Sequence, residues 1–207
     1  MICAVLGEIV KLALAWAGDR QESKMPNRDD HSAPRNPNFL QRQLERARFE
    51  RALEVANSMV ESGAFLNTAE LARINNVLRG EKDEPWREGS AVCSLPSGRE
   101  ENLQILADPL TKAKELLGNA KDRATSGAVV EAAADLYAQL VLTHVFKDAN
   151  RRTAVVAAAY LLRLHGVQIS AMGLHELGLG DLRVEGQMEA LRETLRNAVK
   201  LARPLRG

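Results

Sequence analysis

With 207 residues, 28 Lys and Arg against 27 Asp and Glu, and a net charge of +1, the chain has room for one domain with a short appendage. It has no basic excess of the kind that marks a general nucleic-acid binder. A hydrophobic share of 45% with only 4% aromatics points to a helical core of small aliphatic residues, and two distant cysteines, Cys3 and Cys93, exclude a disulfide framework and leave a reducing cytoplasm as the default location.

Residues 1–18 form an apolar run in which Ile2, Val5, Leu6, Ile9, Leu12, Ala13 and Trp16 share one helical stripe. Glu8 and Lys11 interrupt it, so it is too short and too charged to span a bilayer, and no membrane span is expected. Ala15-Trp16-Ala17 resembles a signal-peptidase site, but no positive charge precedes the apolar part, which favours a partner-binding or packing helix over secretion. From Asp19 to Asn38 the chain is polar, is broken by Pro26, Pro34 and Pro37, and reads as a linker, with Met25 a possible alternative start. Residues 1–38 are therefore expected to be an appendage, and residues 39–207 the main domain.

Phe39 to Glu61 reads as a charged helix whose apolar positions are Leu40, Leu44, Ala47, Leu53, Val55, Ala56 and Val60, ended by Ser62-Gly63. Asn67 or Thr68 caps a second helix through Leu71, Ile74 and Leu78, closed by Arg79-Gly80. Between Glu81 and Gln104 the chain is punctuated by Pro85, Gly89, Pro96 and Gly98, and Ala91 to Leu95 could be a short strand. Asp108-Pro109 opens a helix carrying Leu110, Ala113, Leu116 and Leu117, which Gly118-Asn119 is expected to stop.

Two strongly periodic runs follow. Val129, Ala133, Leu136, Leu140 and Val141, with Tyr137 beside them, make a wide apolar stripe that arrives at His144. Val155, Val156, Ala159, Tyr160 and Leu162 repeat the pattern until His165-Gly166, where Gly166 suits a left-handed helix end. Lys147 to Arg152 thus lie at the start of the second helix, with Asn150 as its expected N-cap. A helix N-terminus offers unpaired N–H groups and partial positive charge, so it can cradle phosphate oxygens. Arg152 can add a bidentate phosphate contact. Asp148 supplies the hard oxygen that Mg2+ takes when it is shared with phosphates. His144 is placed to take a proton from an incoming hydroxyl. Taken singly, each of these residues has an ordinary structural explanation. Packed into nine positions, they point to phosphoryl or nucleotidyl transfer.

The run His144-Val145-Phe146-Lys147-Asp148-Ala149-Asn150-Arg151-Arg152 resembles the signature of the Fic/Doc superfamily, also called Fido: His-x-Phe-x-Asp/Glu-Gly/Ala-Asn-Gly/Lys-Arg. His144, Phe146, Asp148, Ala149, Asn150 and Arg152 match it. The resemblance implies an enzyme that uses ATP and Mg2+ to modify a side-chain hydroxyl of a target protein. His144 and Arg152 would be catalytic, Asp148 the metal ligand, and Lys147, Asp148, Ala149, Asn150, Arg151 and Arg152 the nucleotide site. Phe146 would pack beneath the loop and fix its geometry. AMP-transferring members usually carry Gly where this chain has Arg151 and a second Arg where it has Val155. The Doc branch has Lys and an aliphatic residue there, so the motif is closer to Doc and favours phosphoryl transfer, with AMP transfer or a catalytically silent binding module as alternatives.

The resemblance also implies a β-hairpin flap at about 84–103 that holds a target segment by main-chain hydrogen bonds. The helix before the flap resembles the corresponding Fic helix more weakly. Leu174 to Leu182 and Val184 to Leu201 read as helical, with Val167 to Ile169 an apolar connector and Pro204 limiting extension. Asp181-x-x-x-Glu185-Gly186 nearly matches the inhibitory Ser/Thr-x-x-x-Glu-Gly/Asn of the family. It reads as an ordinary helix start, because acidic residues commonly occupy first turns; the Arg that such a lock would pair with is Val155 here, so any inhibition is expected from a separate antitoxin-like protein. No internal repeat appears. The expected fold is mainly α: a Fido-type helical bundle around the His144 helix with one small β-hairpin.

Overall fold

Six helices and two strands form the fold of a computed structural model that describes residues 37–94, 100–103, 105–167 and 181–202. The apolar stripe at 1–18, the linker up to residue 36 and most of the segment expected to be helical at 174–182 lie outside the described residues.

Helix α1 (Pro37–Ser62) starts two residues earlier than its periodicity suggests. Phe49, Ala52, Leu53, Ala56 and Met59 fall at helical spacing and are buried. Leu40 and Leu44, expected on the same stripe, are exposed together with Phe39. The first three turns therefore stand clear of the core. Their charged faces carry local pairs such as Arg46–Glu50 at 2.9 Å. Helix α2 (Thr68–Arg79) is capped by Asn67, whose side chain accepts from the Glu70 N–H at 3.0 Å. It ends at Gly80, held at φ 74, where a left-handed residue frees two N–H groups for the last carbonyls.

Strands β1 (Ala91–Ser94) and β2 (Glu100–Leu103) pair antiparallel, Ala91 opposite Leu103 and Ser94 opposite Glu100. The hairpin that the family resemblance implied is present, but it is shorter than the segment at about 84–103 assigned to it, as described below.

Helix α3 (Pro109–Thr125) opens as expected, with Asp108 accepting from the Thr111 N–H at 2.9 Å and Pro109 in the first turn. It does not stop at Gly118-Asn119; it runs through them to Thr125. Buried Leu116, Leu117, Ala120 and Ala124 continue the stripe across the glycine, and packing outweighs its modest helix penalty. Helix α4 (Val129–Thr143) and helix α5 (Asn150–Leu164) form the central hairpin. Alanines are prominent among their buried residues: Ala132, Ala133, Ala134, Ala138, Ala154, Ala157, Ala158 and Ala159. Small side chains let the two backbones approach closely, which is the core that the low aromatic content implied.

Around this pair, α3 packs on α4, α1 and α2 pack on α5, and helix α6 (Gln187–Ala202) lies on α4. Leu191, Leu195 and Val199 form the buried stripe of α6. Val184 to Gly186, expected to be helical, are a turn that precedes it, so the Asp181 to Gly186 segment is a lead-in rather than a first helical turn. Among the described residues no helix is long and apolar enough to cross a membrane.

Candidate active site

Among the described residues two that are not glycine have positive φ, and both stand in the segment between α4 and α5. His144 ends α4 in the left-handed region at φ 47, its N–H donating to the Leu140 carbonyl at 3.2 Å. Ala149 stands at φ 58 immediately before α5. Left-handed backbone at a residue with a Cβ is unfavourable by about 1–2 kcal/mol, and it persists where surrounding contacts fix it.

Those contacts come from three directions. Asn150 accepts from the Phe146 N–H at 2.9 Å and donates to the Phe146 carbonyl at 2.9 Å, so one side chain ties the loop into a ring. Asn150 is thus the first residue of α5, not its cap; the cap position is Ala149, and no side chain caps the helix. From α2, Asn75 Nδ2 donates to the Asp148 carbonyl and to Thr153 Oγ1, both at 2.9 Å. From the segment before the hairpin, the Arg87 N–H donates to the Val145 carbonyl at 2.9 Å and the Lys147 N–H donates to the Pro85 carbonyl at 3.0 Å. Trp86 and Phe146 face one another in this short bridge with rings stacked at 4.9 Å and 20°. Phe146 is 1% exposed, buried beneath the loop as its place in the motif implied. Pro85 to Arg87 therefore brace the loop instead of belonging to the flap, whose strands begin at Ala91.

The brace leaves a defined set of groups facing outward. The N–H groups of Asn150, Arg151 and Arg152 precede the first i−4 bond of α5, which the Thr153 N–H makes to Ala149 at 2.9 Å. A left-handed residue followed by a helical turn turns successive N–H groups inward as an anion-binding nest. One Asp148 oxygen accepts from the Ala149 N–H at 2.5 Å, while the other pairs with Arg152 at 3.7 Å. Among the described residues no cluster of three His, Cys, Asp or Glu could hold a metal by itself. A lone, exposed carboxylate beside an anion nest suits Mg2+, whose coordination shell is then completed by phosphates and water.

The His144 ring is half-buried. Burial pushes its pKa below the ordinary imidazole value, the Val141 carbonyl opposes that as a loose acceptor, and the positive charges of Arg87, Arg183 and Arg151 push it lower still. Nδ1 makes no hydrogen bond of good geometry. The imidazole is thus neutral at pH 7, the form that accepts a proton. Arg151 bears on both His144 and the buried Tyr137, whose hydroxyl burial raises to about 12.

The sequence-derived set therefore gathers at one helix junction, with two differences. Lys147 directs its amine to Asp83 at 3.5 Å, away from the nest, and the side chain of Asn150 is fully used within the loop, which leaves its main-chain N–H to face a ligand. Two contributors escaped sequence reading. Asn75 sits inside an apolar stripe, where an amide is the anomaly that signals it. Trp86 follows a proline in a stretch with no periodicity.

The model of the Fic/DOC family matches residues 7–162. No curated protein matches the chain. Among solved structures it is similar to a Fic-domain-containing signaling protein from Bacteroides thetaiotaomicron, with 16% identity over 92% of this chain and 78% of that one and a TM-score of 0.56. It is also similar to a variant of Fic-1 from C. elegans, with 17% identity over 94% and 61% of the two chains and a TM-score of 0.60. A variant of IbpAFic2 in complex with adenylylated Cdc42 gives 17% identity over 97% and 63% and a TM-score of 0.53. At these identities the likeness is one of fold. The chain spans less than two thirds of the last two structures.

Proposed function

Because the chain belongs to the Fic/DOC family, whose members are generally protein-modifying transferases, we propose that it transfers a phosphorus-containing group from ATP to a side-chain hydroxyl of a target protein, γ-phosphoryl transfer being favoured. The observation that carries this is the uncapped start of α5, opened by Ala149 at φ 58, beside a half-buried imidazole whose pKa is lowered.

In this reading the polyphosphate lies on the N–H groups of Asn150 to Arg152, with the Arg152 guanidinium on its oxygens. Asp148 would hold Mg2+ together with those phosphates, and the ion, when bound, neutralises their charge. His144 accepts the proton of the incoming hydroxyl as the hydroxyl oxygen bonds to the γ-phosphorus, and the bond from that phosphorus to the β-phosphate oxygen breaks, releasing ADP. A neutral ring at physiological pH is what that step requires. The target's extended segment would align along the exposed edge of the hairpin, where Val92 is 60% exposed.

Arg151 and Val155 favour γ-transfer. A long cation in the cradle replaces the glycine that would admit close phosphate approach, and an aliphatic residue on the first turns of α5 supplies no further phosphate clamp. AMP transfer is the second reading, favoured by the similarity to the IbpAFic2 variant in complex with adenylylated Cdc42. An antitoxin-like inhibitor remains the partner that would restrain either activity.

One incubation separates the two. Purified protein is mixed with cell lysate and ATP labelled on either the α- or the γ-phosphate. Label from the γ-position on a discrete protein band, lost with His144→Ala, is the expected result. Label from the α-position establishes AMP transfer instead. No label from either position, together with no Mg2+-dependent binding of ATP, leaves the silent binding module.

A further inference from the structure

Asn75 is buried at 0% exposure in the middle of an apolar helix face, flanked by Leu71, Ile74 and Leu78, each also at 0%. A leucine there would extend the stripe. The chain instead buries an amide whose Oδ1 has no hydrogen-bond partner. An unsatisfied buried acceptor is destabilising, and such groups in native structures call for an explanation.

The explanation lies in what the other end of the amide holds. Nδ2 donates to the Asp148 carbonyl and to Thr153 Oγ1, both at 2.9 Å. These two acceptors flank the left-handed Ala149. Fixing the Asp148 carbonyl fixes the plane of the Asp148–Ala149 peptide. The N–H at the far edge of that plane is the group that binds one Asp148 carboxylate oxygen, at 2.5 Å. The chain of contacts therefore runs from α2, through one peptide plane, to the orientation of a carboxylate. The other carboxylate oxygen is left facing Arg152 and solvent. Thr153, the second acceptor, makes the first regular main-chain bond of α5, so the same amide also registers the helix start.

We propose that Asn75 is a positioning residue: by clamping the Asp148 carbonyl against Thr153 it sets both the metal-facing carboxylate and the amide nest for a magnesium-bound nucleotide. This rests on the transferase reading above. It goes further in assigning a role to a residue on a different helix, more than seventy positions upstream. Outer contacts of this kind govern metal affinity by about 10–100-fold in other sites.

The test compares the wild type, Asn75→Ala and Leu78→Ala. Leu78→Ala removes a fully buried side chain one turn further along α2 that has no polar atom with which to hydrogen-bond the loop. Each protein is measured for thermal unfolding, for affinity towards a fluorescent ATP analogue with and without Mg2+, and for hydrogen exchange across residues 147–153. The expected result for Asn75→Ala is faster exchange in that segment and about a tenfold loss of the Mg2+-dependent part of the affinity. Leu78→Ala is expected to lower the unfolding temperature at least as much while keeping that affinity. If Asn75→Ala does not fold, Asn75→Ser, too short to span both acceptors, takes its place. Equal Mg2+-dependent affinity in wild type and the Asn75 variant sinks this proposal alone. So does a loss in both variants that merely tracks stability. A wild type without Mg2+-dependent nucleotide binding removes the transferase reading and this proposal together.

Discussion

His144 ties the proposed reaction to pH. Its pKa is lowered chiefly by burial, with Arg87, Arg183 and Arg151 adding to the effect. The neutral ring therefore survives to lower pH in the folded protein than in the unfolded chain. In a pH series of target labelling, the acid limb attributable to His144 should fall below pH ~6.5, the unperturbed imidazole value. A limb above that value would contradict the burial seen here. Stability follows the same sign: well above pH ~6.5 neither state binds the proton, and as pH falls through that value the unfolded chain binds it first, so His144 lowers stability progressively until its folded pKa is passed. His144→Gln should flatten that part of the unfolding curve. Asn150 supports a second prediction at this scale. Asn150→Ala leaves the Phe146 N–H and carbonyl buried without partners, so a loss of about 3 kcal/mol in denaturant unfolding is expected. The motif identified Asn150, but capping rules describe contacts to following residues. This side chain reaches four residues back, and local rules could not assign that.

Among the elements, the short brace from Pro85 to Arg87 shows what periodicity cannot reveal. Its three residues pair with Val145 to Lys147 about sixty positions later, and no local signal marks a partner that remote. Of the hairpin beside it, Pro and Gly punctuation marked only the first strand, near Ala91 to Leu95; its pairing with Glu100 to Leu103 was implied by the family resemblance. Trp86→Ala should destabilise the fold by about 2 kcal/mol through lost stacking and burial and should increase protease sensitivity at the motif loop. The ion pair from Arg183 to Glu101 at 3.1 Å joins the hairpin to the turn before α6. Both side chains are partly exposed, so Glu101→Gln should change stability by about 0.5 kcal/mol or less. Helix α3 supplies a gain. Gly118 lies in its interior, and an added Cβ would meet nothing within 4 Å. Gly118→Ala should raise stability by about 0.5–1 kcal/mol. The same substitution at Gly80 should be destabilising, since its φ is +74 and the Cβ would collide with Arg48. Composition treats the two glycines alike; only the path of the backbone separates a helix interior from a helix end.

At the scale of the molecule, α4 and α5 form an alanine-rich hairpin, and α2 and the Pro85 to Arg87 segment brace the junction at its connected end. The mainly α architecture was legible because 4% aromatics and two long periodic runs leave few other ways to build a core. The convergence of Asn75, Trp86 and the motif on one loop was not, since it depends on tertiary placement of three elements. Close helix approach makes the hairpin sensitive to added volume: Ala158→Leu, at a fully buried position, should cost about 1–3 kcal/mol in unfolding measurements. The stack of Trp86 on Phe146 has an optical consequence as well. The chain holds two tryptophans, so a Trp16→Phe protein retains a single indole fluorophore, stacked against the motif. Its emission maximum and quenching should then read out nest occupancy in a cuvette, with no dye attached to either protein or nucleotide.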